Sequence, residues 1–217
     1  MSPLRRVRLL ARLTLLSIAV ALAGGCAQDA PEPTKASPSP SEPPVEGDAT
    51  VFAAASLTEP FNKIGEAFRG AYPGASVTFN FAASSTLAQQ IVEQGGADVF
   101  APADEPTMKG VADKGLLEGE PKIFIRNRLQ IIVQPGNPKR IARLAHLANP
   151  ELKVVLAAPQ VPAGRYALEV LGKAGVTVRP VSEAPDVKGV VGPVTLGEAD
   201  AGIVYATDVK AVGDRAT

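Results

Sequence analysis

Past residue 49 the apolar positions alternate between short unbroken runs and stretches spaced three and four apart. Residues 50–54 form the first run, a predicted buried strand, and Leu57, Phe61, Ile64 and Phe68 follow it at helical spacing. Ser56-x-x-Glu59 has the form of a capping box, which predicts a helix starting at Ser56. The arrangement then repeats: residues 76–81 read as a strand, and Phe81-Ala-Ala-Ser-Ser-Thr-Leu-Ala leads into another helix, which Gln94-Gly95-Gly96 ends. Two strand-to-serine-to-helix turns can aim two sets of backbone N–H groups at one anion.

The same alternation continues. Residues 97–101 read as a strand, and Asp104-Glu105-Pro106 opens a helix through Met108, Val111 and Ala112. Residues 128–133 are a strand closed by Pro135-Gly136-Asn137-Pro138, and residues 141–148 a short helix. Residues 154–157 are again a strand, after which Pro162-Ala163-Gly164 precedes a helix carrying Tyr166, Leu168 and Leu171. Asp186 can cap a helix beginning at Val187, although Gly189, Gly192 and Pro193 make it poor by propensity. Residues 201–205 are the last strand, and Thr207-Asp208 starts one more helical turn. Strands and helices in alternation predict an α/β fold with mostly parallel sheets.

The first 48 of the 217 residues are of another kind. Arg5, Arg6, Arg8 and Arg12 precede an apolar run over 13–23 and then Gly24-Gly25-Cys26, so residues 1–25 have the pattern of a secretory signal. Cys26 is the chain's single cysteine and cannot form an internal disulfide. Its place resembles that of the lipidated first residue of a mature bacterial lipoprotein. Residues 26–48, with Pro31, Pro33, Pro38, Pro40, Pro43 and Pro44 among Ser, Glu and Asp, are predicted to be a disordered tether reaching ~70 Å at ~3.1 Å per residue. Lys and Arg balance Asp and Glu at 22 each, so loss of the signal's four arginines leaves an acidic remainder. With no basic footprint and no tryptophan, nothing points to a nucleic-acid partner.

An inventory of reactive groups removes most catalytic readings. His146 is the only histidine, and the sequence has no G-x-S-x-G, S-x-x-K, P-loop or G-x-G-x-x-G motif. No enzyme activity and no cofactor are expected. What remains are neutral donors at element ends: Ser56, Ser84, Ser85, the amides after Pro162 and after Asp186, and Tyr205. In open α/β sheets ligands sit beyond the carboxyl ends of strands, where helix N-termini offer unpaired N–H groups and a partial positive charge. Such a pocket can hold a doubly charged anion without Arg or Lys. It also disfavours phosphate, whose retained proton would go unpaired at a cost of about 1–3 kcal/mol.

Phe52-Ala-Ala-Ala-Ser-Leu-Thr58, Phe81-Ala-Ala-Ser-Ser-Thr-Leu-Ala88, Ala97-Asp-Val-Phe100, Val161-Pro-Ala-Gly-Arg-Tyr-Ala167 and Gly197-Glu-Ala-Asp-Ala-Gly-Ile-Val-Tyr-Ala-Thr-Asp208 resemble the ModA family, the molybdate-binding proteins of molybdate ABC transporters, over about residues 49–215. The resemblance implies a two-lobed periplasmic-binding-protein fold of type II, lobe 1 over 49–127 and lobe 2 over 128–217, with the ligand cleft between them. It implies molybdate or tungstate as ligand, held by Ser56 and Ser84 through hydroxyl and amide, by the amides of Ala163 and Val187, and by the Tyr205 hydroxyl. Any metal would enter only as the molybdate oxyanion, without direct protein ligands. Ser85, Thr86 and Arg165 would lie beside the site, Arg165 as a solvated helix residue. The partners implied are an ABC permease and the membrane, reached through a lipid on Cys26; the protein would be a monomer, extracytoplasmic and anchored. Family members continue for some tens of residues beyond the strand ending at Tyr205, so lobe 1 is expected to lack its returning segment and to expose apolar surface. The donor set alone also allows another oxyanion such as sulfate, and an anchored hydrolase with Ser84 or Ser85 as nucleophile is the reading from a different class.

Overall fold

The computed structural model describes residues 45–216. The signal, Cys26 and residues 26–44 of the expected tether lie outside them. Seven strands and six α-helices follow in the order β1 (Gly47–Ala54), α1 (Thr58–Ala71), β2 (Ala75–Ala82), α2 (Ser84–Gln94), β3 (Val99–Ala101), α3 (Glu105–Ala112), β4 (Leu129–Val133), β5 (Val154–Ala157), α4 (Pro162–Lys173), β6 (Ser182–Ala184), α5 (Lys188–Thr195), β7 (Ala201–Tyr205) and α6 (Ala206–Val212). They make two sheets. The first is all parallel, in the order β2-β1-β3; the second runs β4-β7-β5-β6, with β4 antiparallel to β7 and the other pairs parallel. Chain folding is thus α/β, as the alternation predicts.

Strand β1 starts at Gly47, two residues before the expected start of the body. Gly47 and Asp48 pair with Ala75 and Ser76 of β2, and the Asp48 carboxylate accepts a hydrogen bond from the Ser76 hydroxyl. A neighbouring strand eight residues long draws in two residues whose composition reads as tether.

Each sheet packs apolar side chains on both faces, and period-two alternation divides them. On the first sheet Phe52 joins Leu87, Ile91 and Val111 under α2 and α3, while Val51, Ala53 and Ala101 face Phe61 and Phe79 on the α1 side. On the second, Ile132, Val155 and Val204 meet Val190 and Val194 of α5, and Val154, Leu156 and Ile203 meet Ala167 and Leu171 of α4.

Helix α5 shows which effect wins. Gly in a helix interior costs about 1 kcal/mol and Pro about 3 kcal/mol relative to Ala, but Val190, Val191 and Val194 are all buried, each contributing about 1.5–3 kcal/mol. Burial outweighs propensity, and the helix forms with Pro193 inside it.

Three expectations differ in the structure. Ser56 does not start an α-helix: Ala55–Leu57 is a 3₁₀ turn, α1 begins at Thr58, and no side-chain cap forms at either start. With Leu57 as the N-cap, Ser56 and Glu59 no longer have capping-box spacing, and Glu59 instead meets the Lys188 ammonium at 2.8 Å. Ile64 stays exposed although it is in phase with Phe61. The helix expected over 141–148 shortens to a 3₁₀ turn, Leu144–Ala148. Strand β6 carries no sequence signal, since only Ala184 of its three residues is buried.

Candidate oxyanion site between the two sheets

Every strand except β4 points its carboxyl end at one cleft. After β1 comes the turn with Ala55 and Ser56; after β2, Ala83 and Ser84; after β3, Ala103. From the second sheet, the segment after β5 brings Val161, Pro162 and Ala163, that after β6 brings Asp186 and Val187, and β7 ends in Tyr205. These residues line a cavity of about 10 Å³, on the scale of one water-sized body. A small compact solute fits such a place after a slight parting of the walls; an extended organic one does not. All five residues singled out above, Ser56, Ser84, Ala163, Val187 and Tyr205, are in the lining. Ser85, Thr86 and Arg165 are not.

Local chemistry explains why these residues take these places. Gly164 lets α4 start against the end of β5: a Cβ there would come within 2.1 Å of the Ala158 carbonyl oxygen and 2.3 Å of that of Ala157. Pro162 at the first helical position costs nothing, because its missing N–H would have no partner in the helix. Ala163 and Val187 are buried, at the start of α4 and immediately before α5. Asp186 accepts the Gly189 N–H at 2.9 Å and so fixes the turn into α5.

The hydroxyls are disposed to donate. Ser84 is buried, and its Oγ accepts the Ala103 N–H at 2.9 Å, which leaves its own proton free for another acceptor. Ser56 is half-buried and caps no helix. The Tyr205 hydroxyl is buried and, among the described residues, has no hydrogen-bond partner. Burial first, and then the nearby Asp104 carboxylate, raise its pKa well above the usual value near 10. It is therefore a neutral donor throughout the physiological range.

Sequence reasoning missed the charges around the cleft. Asp186 puts a carboxylate in the lining. Arg165 is not simply solvated but pairs with Asp104, whose side chain is fully buried; nothing in the sequence links positions 61 residues apart. Asp208 is buried behind Tyr205, accepts the Tyr205 N–H at 3.1 Å, and lies 3.4 Å from Lys188. Burial raises its pKa, against the opposing pull of Lys188. A larger groove of about 310 Å³ runs beside Gln130, Ile131 and Val133, but the amide of Asn137, which also lines it, is occupied with the Ile141 backbone at 2.8 and 2.9 Å.

Comparison with known proteins follows the same outline. A family model of bacterial extracellular solute-binding proteins matches residues 49–216, and the molybdate-binding protein ModA of Escherichia coli is 35% identical over 176 residues, 76% of this chain and 68% of that protein. The chain belongs to the bacterial extracellular solute-binding proteins, in the ModA family. ModA of Mycobacterium tuberculosis is 44% identical over 167 residues, 77% of this chain and 64% of that protein, so the chain spans a little under two thirds of this relative's length. Among solved structures, the substrate-binding domain of a molybdenum ABC transporter from Clostridium difficile matches with a TM-score of 0.56 at 30% identity, over 79% of this chain and 76% of that one. The molybdate-binding protein of Azotobacter vinelandii shares the fold with a TM-score of 0.62 at 22% identity, over 72% and 71% of the two chains. The architecture is α/β, with two sheets facing a common cleft. Among the described residues no helix is long and apolar enough to cross a membrane.

Proposed function

We propose that this protein binds molybdate, and tungstate with it, in the cleft between two lobes, residues 49–127 and 128–217, and delivers the anion to an ABC permease. The observation that carries the reading is the Tyr205 hydroxyl. It is buried, neutral, without a protein partner, and in the same lining as the Ser84 hydroxyl and the starts of two helices. A hydroxyl buried unpaired costs about 1–3 kcal/mol, so its persistence at the meeting point of the lobes calls for a ligand that accepts hydrogen bonds. Ser56 and Ser84 donate from one lobe through hydroxyl and amide; the amides of Ala163 and Val187 and the Tyr205 hydroxyl donate from the other. The relatives' names supply the choice of molybdate among the oxyanions that such donors suit.

Binding and hinge closure suffice for this function, and no covalent step is involved. The protein acts as a monomer outside the cytoplasm, anchored through a lipid on Cys26, with the permease reading the closed form. Calorimetric titration with molybdate, tungstate, sulfate and phosphate tests the assignment. Tight binding of molybdate and tungstate with weak or no binding of the other two is expected. Preference for sulfate or phosphate would overturn it.

A further inference from the structure

Two ion pairs bridge the cleft, and both have the same polarity. Arg165 lies in the first turn of α4, two residues beyond Ala163, and its guanidinium meets Asp104, the cap of α3. Lys188 opens α5 beside Val187, and its ammonium meets Glu59 in the first turn of α1 at 2.8 Å while also lying 3.4 Å from Asp208 of its own lobe. Each helix of the second lobe that offers its N-terminus to the cleft thus carries, one or two residues on, a cation aimed at the opposite lobe and not into the cavity. Bonds that exist only while the lobes are apposed favour the closed form by their full free energy. They hold the two helix starts where an anion meets them.

We infer that Arg165 and Lys188 are positioning residues of the anion site, which draw α4 and α5 onto the first lobe through Asp104 and Glu59 and so set the anion's residence time without touching it. The inference rests on the reading that the cleft takes an oxyanion. The two pairs are unequal. Lys188 and Glu59 are 29% and 51% exposed, and a pair so wetted changes an equilibrium by about fivefold or less. The Asp104 side chain is fully buried beneath Arg165, and loss of one partner of such a pair changes dissociation by tenfold or more. Loss of Arg165 also leaves an uncompensated carboxylate in a lobe that receives a dianion.

Arg165→Ala, Arg165→Lys, Asp104→Asn with Arg165→Ala, and Glu59→Gln separate these contributions in the full chain. Molybdate affinity is read by calorimetry, its dissociation rate by stopped-flow tyrosine fluorescence, and the ligand-free radius of gyration by solution scattering. Arg165→Ala is expected to release molybdate about tenfold faster or more with association unchanged, Arg165→Lys to recover most of the loss, and the double variant part of it. Glu59→Gln, which leaves Lys188 beside Asp208, should cost about fivefold or less. Without ligand, Arg165→Ala should be more expanded than the wild type. A wild-type dissociation rate in Arg165→Ala, or no rescue by lysine, would overturn the inference. So would an unchanged ligand-free size, whatever the titration gives. A wild-type protein that responds to no oxyanion, while Arg165→Ala still expands, would overturn the proposed ligand and leave the closure device standing.

Discussion

Tyr205→Phe separates binding from stability with opposite signs. The substitution removes one oxygen from a buried residue and leaves the ring in the core beneath the cleft. Among the described residues that oxygen has no partner, and a buried unpaired hydroxyl costs about 1–3 kcal/mol. Its removal should therefore stabilise the ligand-free protein by about 1 kcal/mol or more, a rise in Tm of roughly 2–4 °C for a body of this size. In the proposed complex the same oxygen donates to a charged acceptor, a bond contributing about 1.5–3 kcal/mol. Its loss should weaken molybdate binding roughly ten- to a hundredfold. Differential scanning calorimetry with and without molybdate reads both effects: the variant melts above the wild type when free and gains less from the ligand. The pH dependence has a definite sign. A phenol whose pKa is raised by folding contributes stability fully below the unfolded value near 10 and loses it as pH climbs through the folded value. The wild type should therefore fall further behind the variant above pH 10. A free variant that melts below the wild type would show that the hydroxyl has a protein partner, and unchanged molybdate affinity would show that it does not face the ligand. Either result refutes the argument.

The other predictions are briefer. Ser84→Ala should cost about 1–3 kcal/mol in anion binding and also lower stability, because the Ala103 N–H loses its acceptor; Ser56→Ala should weaken binding alone, since no cap bond is lost. Paired titrations and melts distinguish the two. Gly164→Ala should destabilise by more than about 3 kcal/mol, beyond ordinary overpacking, because the clash is with two backbone carbonyls that cannot rotate away; chemical denaturation checks it. Asp208→Asn removes a carboxylate whose pKa burial raises. A group raised in the fold contributes most below its unfolded pKa and loses that contribution as pH rises through the folded one. The variant should accordingly gain on the wild type as pH rises above about 4 in urea unfolding, and a flat difference would count against it.

Legibility in the sequence followed burial. Strands β5 and β7 have the predicted bounds because both faces are covered and every residue is buried. Strand β6 could not be read because it is a short edge with only Ala184 buried, held by pairing to β5 and not by its own pattern. At Ser56 the capping box was a local pattern that the 3₁₀ turn over Ala55–Leu57 displaces, and Glu59 finds its partner 129 residues away in Lys188. Ser56 and Ser84 were legible because each comes within two residues of the end of a readable strand, whereas Ala163, Val187 and Tyr205 were placed by the motifs of the resemblance. The Asp104–Arg165 pair was not, since it exists only through the meeting of two elements with no common pattern.

The wall of small residues around the cleft, Ala55, Ala83, Ala103 and Ala163, bears on how such a site changes over time. Donors supplied by the main chain are indifferent to which side chain follows them, and proline alone abolishes an N–H. Drift at Ala163 or Val187 can crowd the cavity but hardly alters its polarity. On the proposed reading, retuning toward a different anion passes through Ser56, Ser84 and Tyr205, where one substitution changes one donor, or through the spacing of the two sheets.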